Sequence, residues 1–136
     1  MNPKQFLTIG GIVLILLGVL GFFLIGPTAD KSIFGEAWWF DNGENWAHLI
    51  LGVVGVIAAY SFPAGTQKGL VMLLGILALF FAVYNIFSTT FLGANLESPM
   101  DLILHAVVGI WALMSVRGGD SSMSSGAPTT TMNPSI

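Results

Sequence analysis

The chain has 136 residues, 54% of them hydrophobic and 8% charged, with a mean hydropathy of +0.84 and a net charge of -3. Water-soluble domains carry about 25% charged residues, so this composition excludes one and places the chain in a bilayer. The lack of cysteine excludes disulfides, thiolate metal sites and cysteine nucleophiles, and the acidic balance offers no basic patch for nucleic acid.

Four apolar segments follow in chain order, at about 6–25, 44–62, 69–91 and 100–116, each near the ~20 residues that a bilayer core demands of a helix. The first follows a short stretch containing Lys4, but its apolar run exceeds the roughly 7 to 15 residues of a signal-peptide core, so it is expected to stay. The connection at 26–43 carries Trp38, Trp39 and Phe40, aromatic residues of the kind that prefer the headgroup level, and is expected to lie along the outer interface. The second segment opens on Asp41-Asn42-Gly43-Glu44 and the fourth on Ser98-Pro99-Met100-Asp101. Both read as capping boxes, an N-cap oxygen followed three residues later by a carboxylate. From residue 118 onward the chain is polar and rich in Gly, Ser and Thr, which predicts a disordered tail at 118–136 behind a membrane domain at 1–117.

A shift of 57 residues aligns Leu16, Leu17, Gly18, Leu20 and Phe23 with Leu73, Leu74, Gly75, Leu77 and Phe80. Without a gap it also places Asp41 on Ser98, Glu44 on Asp101, His48 on His105 and Gly52 on Gly109. Apolar matches alone are weak, but caps, acids, histidines and glycines in one register predict two copies of a helical hairpin. The fold expected is all-α, an integral membrane four-helix up-and-down bundle built from two tandem parallel helical-hairpin repeats. Lys4, Lys68 and Arg117 flank one side and only Lys31 the other, so the positive-inside rule puts both termini and the turn at 63–69 in the cytoplasm of a cell bounded by this inner, plasma membrane.

Small residues recur within the helices, with Gly18 near Gly21, Gly52 with Gly55 and Ala59, Gly75 with Ala78, and Gly109 with Ala112. In lipid such positions let helix backbones approach closely. His48 and His105 are the candidate functional residues, because an ionisable side chain inside a span must be compensated. Each lies four residues after an acid and four before a glycine, as Glu44-His48-Gly52 and Asp101-His105-Gly109, along one helix face. Tyr84, Asn85, Ser88 and Thr89 are expected at a similar height on the third helix.

Two readings of this polar layer stand side by side. In the first, the histidines hydrogen-bond to Glu44, Asp101 or the polar end of the third helix and hold the hairpins in register, and the acids are helix caps. In the second, His48 and His105 are axial ligands of a b-type haem. Adjacent axes ~8 to 10 Å apart put the second and fourth helices about 11 to 14 Å from each other on the diagonal. Gly52 and Gly109 would then clear room for the macrocycle, and Glu44, Asp101 and Asn85 would support the ligands from behind. No Ser-His-acid arrangement, phosphate loop or zinc motif is present.

At Asn45-Trp46-Ala47-His48-Leu49-Ile50-Leu51-Gly52, with Asn2-Pro3 ahead of a Gly-rich first helix, the chain resembles a widespread family of small bacterial four-helix membrane proteins known only as a domain of unknown function. The resemblance spans roughly residues 1–116 and implies the four-helix fold and a second histidine in the fourth helix, where His105 stands. The Asn-Trp pair has no counterpart before His105, where Leu102 and Ile103 stand, and the resemblance carries no activity. The function expected is a non-enzymatic membrane component, free-standing or an accessory subunit, meeting the lipid bilayer and either a membrane-protein partner or further copies of itself. The haem-binding electron-transfer or sensor protein is the alternative.

Overall fold

The computed structural model describes residues 1–124, with side chains through Gly118. Four helices dominate it, α1 (Pro3–Gly21), α2 (Asn42–Ser61), α3 (Ala64–Phe87) and α4 (Met100–Ser124). A two-stranded antiparallel hairpin, β1 (Thr90–Phe91) and β2 (Ala94–Asn95), sits between α3 and α4 with Thr90 opposite Asn95 and Phe91 opposite Ala94. The all-helical expectation missed this hairpin because its strands are two residues long, too short for any periodicity to register. Helix α4 runs to Ser124, into the segment read as a disordered tail; the rest of that segment, 125–136, lies outside the described residues.

The local chemistry explains where the helices begin. Pro3 occupies the first position of α1, the Asn2 side chain accepts from the Gln5 N–H at 2.9 Å, and the Gln5 side chain accepts from the Asn2 N–H at 3.0 Å, a closed capping box. Asp41 and Glu44 form the same reciprocal pair at the start of α2, at 2.9 and 3.1 Å. The box expected at Ser98 does not form. Helix α4 starts at Met100, and the Asp101 carboxylate accepts from the Glu97 N–H at 2.8 Å. Its other oxygen is taken by an indole from the opposite hairpin, so it is turned away from a cap at Ser98. Helix α1 ends at Gly21 rather than at 25, as the amides of Phe22 and Phe23 fold back on Val19 and Leu20.

Packing is strongest within each hairpin. A Cβ on Gly11 would lie 2.8 Å from the Gly52 carbonyl oxygen, and one on Gly18 would lie 2.7 Å from the Leu49 nitrogen. The α1 and α2 backbones are therefore in direct contact, antiparallel, along their length. Helices α3 and α4 pair through Gly75 against Ala112 and Leu113, and through Gly109 against Leu79. The two hairpins meet through α1. Phe6 packs edge-on against Trp111 of α4 at 4.6 Å between ring centres. Phe6 and Leu7 also join Ala58, Ala59, Val71, Ala112 and Val116 in one buried cluster at the end where the termini lie.

The shift of 57 residues does not carry over to this packing. Gly18 opposes Asn45 and Leu49, whereas its counterpart Gly75 opposes Ala112 and Leu113 instead of Leu102 and Ala106. The second hairpin has slid by roughly two turns along α4. Both pairs bring glycine against glycine, Gly11 on Gly52 in the first hairpin and Gly75 on Gly109 in the second, but in the second Leu79 and Leu113 pack beside that contact, so the shared small residues meet in another register.

The exterior is apolar. Leu16, Ile50, Ile57, Leu73, Ile76, Val83, Val107 and Ile110 all stand exposed, an arrangement that is stable only where the solvent is hydrocarbon. Helices α1, α3 and α4, the last through Gly118, are long and apolar enough to cross a membrane, which marks this as a membrane protein. Helix α2 is less apolar because Asn42, Glu44, Asn45 and His48 crowd its first two turns.

Candidate functional site, a polar layer under an aromatic lid

The first two turns of α2 and α4 deliver the candidate residues. Glu44 and Asp101 are buried, at 7% and 2% exposure, and His48 and His105 follow one turn deeper, half-buried. Neither carboxylate supports a histidine. One Glu44 oxygen accepts from the Asp41 N–H, and Asp101 accepts from the Glu97 N–H and, at 3.3 Å, from the Trp38 indole Nε1–H. His105 Nδ1 is instead 2.8 Å from the Asp101 backbone carbonyl. A carbonyl only accepts, so Nδ1 is the protonated nitrogen and Nε2 the one left over. His48 Nδ1 makes no hydrogen bond of good geometry among the described residues.

The polar end of α3 does not serve the histidines either. Asn85 donates through Nδ2 to the Leu96 carbonyl at 3.0 Å, and the Tyr84 and Ser88 hydroxyls donate to the Thr90 carbonyl at 3.1 and 3.0 Å. All three therefore fasten the β1–β2 hairpin to α3, and Asn85 is no support for a histidine ligand.

Above the layer, the connection at 22–41 folds across the ends of the helices. It is pinned by the Ile33 N–H on the Leu24 carbonyl, the Phe40 N–H on the Ile25 carbonyl, both at 2.9 Å, and the Ser32 hydroxyl on the Trp38 carbonyl at 2.7 Å. Phe34, Trp38, Phe40 and His48 form a continuous run of ring contacts, with centres 5.3, 5.2 and 4.9 Å apart, and Phe40 is only 2% exposed. Two bonds cross from one hairpin to the other here: Trp38 to Asp101, and the Asn95 N–H to the second Asp41 oxygen at 2.7 Å. The tie between hairpins that the first reading assigned to the histidines is thus made by Trp38, Asp41, Asn95 and Asp101. Trp38 was legible in the sequence only as an interfacial aromatic, and Asn95 gave no signal, because it contributes its backbone.

The haem reading can be tested on the same geometry. Gly52, which was to clear space for a macrocycle, faces Gly11 and Ile15 of α1, where a Cβ would lie 2.7 Å from the Gly11 carbonyl oxygen. Gly109 faces Leu79, with a Cβ 2.7 Å from its Cγ. Both glycines are consumed by helix packing. Phe40 lies against the His48 ring and Phe81 against the His105 ring, at 4.9 and 5.6 Å. These residues do not fit a haem held between His48 and His105, and among the described residues no group of three or more acids and histidines is arranged to hold a metal ion.

Sequence reasoning missed three further buried polar residues, of which Ser115 donates its hydroxyl to the Ala112 carbonyl within α4 at 2.7 Å. Gln67 at the start of α3 donates through Nε2 to the carbonyls of Ala58, Ala59 and Phe62, at 3.4, 2.9 and 2.8 Å, and so partners Ala59 and Phe62 at the C-terminal end of α2, while Ala58 also accepts from the Phe62 N–H. Asn45, fully buried against Gly21, belongs to the Asn-Trp-x-His string, so its signal was on the page without a role attached. Comparison with known proteins adds no assignment: no family model, curated protein or solved structure matches the chain.

Proposed function

We propose that the chain is a non-enzymatic, four-span plasma-membrane protein that acts by association, as an accessory subunit of a membrane complex. The observation that carries this reading is how the polar residues of the outer layer are used. Asp41, Glu44, Asp101, Asn85 and Trp38 each spend hydrogen bonds on backbone groups or on one another, closing the outer end into a cap. Side chains committed in this way build a surface and a fixed shape, not a reaction centre.

Helix α2 is the fourth span in this proposal. It pairs with α1 residue for residue and has 20 residues against 19, so a membrane thick enough for one accommodates the other. In its polar first turns Glu44 and Asn45 are buried and His48 packs under Phe40 of the lid, and its exposed flank carries Ile50, Val54 and Ile57. An even number of spans places both termini on one side, and Lys4, Lys68 and Arg117 make that side the cytoplasm. The up-and-down bundle and the resemblance to small bacterial four-helix proteins belong to the same proposal.

Photo-cross-linking from the exposed Phe34 position in native membranes, followed by gentle solubilisation, tests the role. A discrete cross-linked neighbour and migration in a larger assembly are expected. A protein that runs alone as a monomer and captures no neighbour would remove the accessory-subunit reading.

A further inference from the structure

The β1–β2 hairpin is built unlike a solvent loop. Its turn places Leu92 at φ 51 and Gly93 at φ 88, and a branched side chain in the left-handed region is strained where Gly, Asn or Asp would not be. That Leu92 is also 93% exposed, so no packing within the chain compensates the strain. Phe87, the last residue of α3 and five residues before Leu92, is 82% exposed, and Ile86 is exposed as well.

The height of the hairpin is set by its contacts. The Phe91 ring packs on Phe81, Tyr84 and Phe80 at 5.0, 5.4 and 6.3 Å, one to two turns before the end of α3, so β1 lies alongside the outer part of a helix apolar enough to span. The hairpin backbone is equipped for poor hydration. The Thr90 carbonyl receives the Tyr84 and Ser88 hydroxyls, the Leu96 carbonyl receives the Asn85 amide, and the Leu96 N–H donates to the Thr89 carbonyl at 2.9 Å. Irregular backbone at membrane depth is tolerated only where its polar groups are satisfied by protein.

We infer that this hairpin is a lipid anchor, seated in the outer leaflet with Leu92 and Phe87 among the acyl chains just below the headgroups. Its apolar tip continues the lipid-facing stripe of Phe80, Val83 and Ile86 on α3, and the acyl chains supply the contacts that Leu92 lacks within the fold. The Asp41–Asn95 bond then couples the anchor to the start of α2, fixing how deeply that less apolar helix sits.

The chain has no cysteine, so single-cysteine variants carrying a nitroxide report one position each in the reconstituted protein. The label at Leu92→Cys, and independently at Phe87→Cys, is expected to show a high ratio of oxygen to water-soluble nickel chelate accessibility, equal to that of the reference label at the exposed Ile76→Cys on α3. That ratio should exceed the one at Lys31→Cys in the outer loop several-fold. A ratio at Leu92→Cys equal to that of Lys31→Cys would put the hairpin in water and overturn the inference. Shielding from both reagents would put it against protein and overturn it equally. Neither outcome bears on whether the chain has a partner at Phe34, so this inference and the accessory role fail separately.

Discussion

A side chain at Gly52 has nowhere to go, since its first carbon would meet the Gly11 carbonyl oxygen, the Ile15 nitrogen and the Ile15 side chain, all within 2.8 Å. Overpacking of this kind costs about 1 to 3 kcal/mol. Gly52→Val, and likewise Gly18→Val, should therefore lower stability by that amount in a denaturant titration of the detergent-solubilised protein. Gly69 has open space around it within α3, so Gly69→Ala is expected to be neutral or to stabilise by roughly 0.4 to 1 kcal/mol. Equal losses at Gly52 and Gly69 would show that helix propensity, not backbone approach, explains the glycines. Gln67→Leu tests the other buried polar device. It strips the Ala59 and Phe62 carbonyls of the amide donor, while Ala58 keeps the Phe62 N–H, and leaving buried groups unpaired costs about 1 to 3 kcal/mol. The same residue-level geometry predicts that protein purified from haem-replete membranes has no Soret band. A band that disappears in His48→Ala would show that α1 and α3 move away from these glycines to admit a macrocycle.

Among the elements, the outer cap carries the most specific claim, that Trp38 and Asp101 clamp the hairpins together. A double-mutant cycle of Trp38→Phe and Asp101→Ala should give a coupling energy of about 0.5 to 3 kcal/mol, and a value near zero would mean that the indole contributes packing alone. Much of this level was readable in advance. The Asp41–Glu44 box and the four helical segments follow from hydrophobic runs and from cap residues three apart, which are local signals. What was not readable is non-local. The Ser98 cap failed because Asp101 is claimed by an indole 63 residues away. The register of α3 on α4 departed from the 57-residue shift because Gly75 meets Gly109, Ala112 and Leu113, whereas its counterpart Gly18 meets Asn45 and Leu49. The small-residue positions announced close approach without saying which helix would approach, and so Gly52 and Gly109 were open to a cofactor reading that their neighbours exclude.

At the scale of the whole molecule, the apolar exterior fits a membrane protein, and the proposed orientation accounts for the polar layer at one end and the basic residues at the other. The claim on which the rest depends is that α2 crosses the bilayer although it alone of the four helices falls short of the apolar length of a span. Glu36 and Gly65 are exposed residues on either side of it, and the cysteine-free chain allows each to be replaced singly by cysteine and probed with a membrane-impermeant maleimide. In intact cells, or spheroplasts if an outer membrane is present, Glu36→Cys should label at once and Gly65→Cys only after permeabilisation. Labelling of both from the same side of the membrane would show that α2 does not cross.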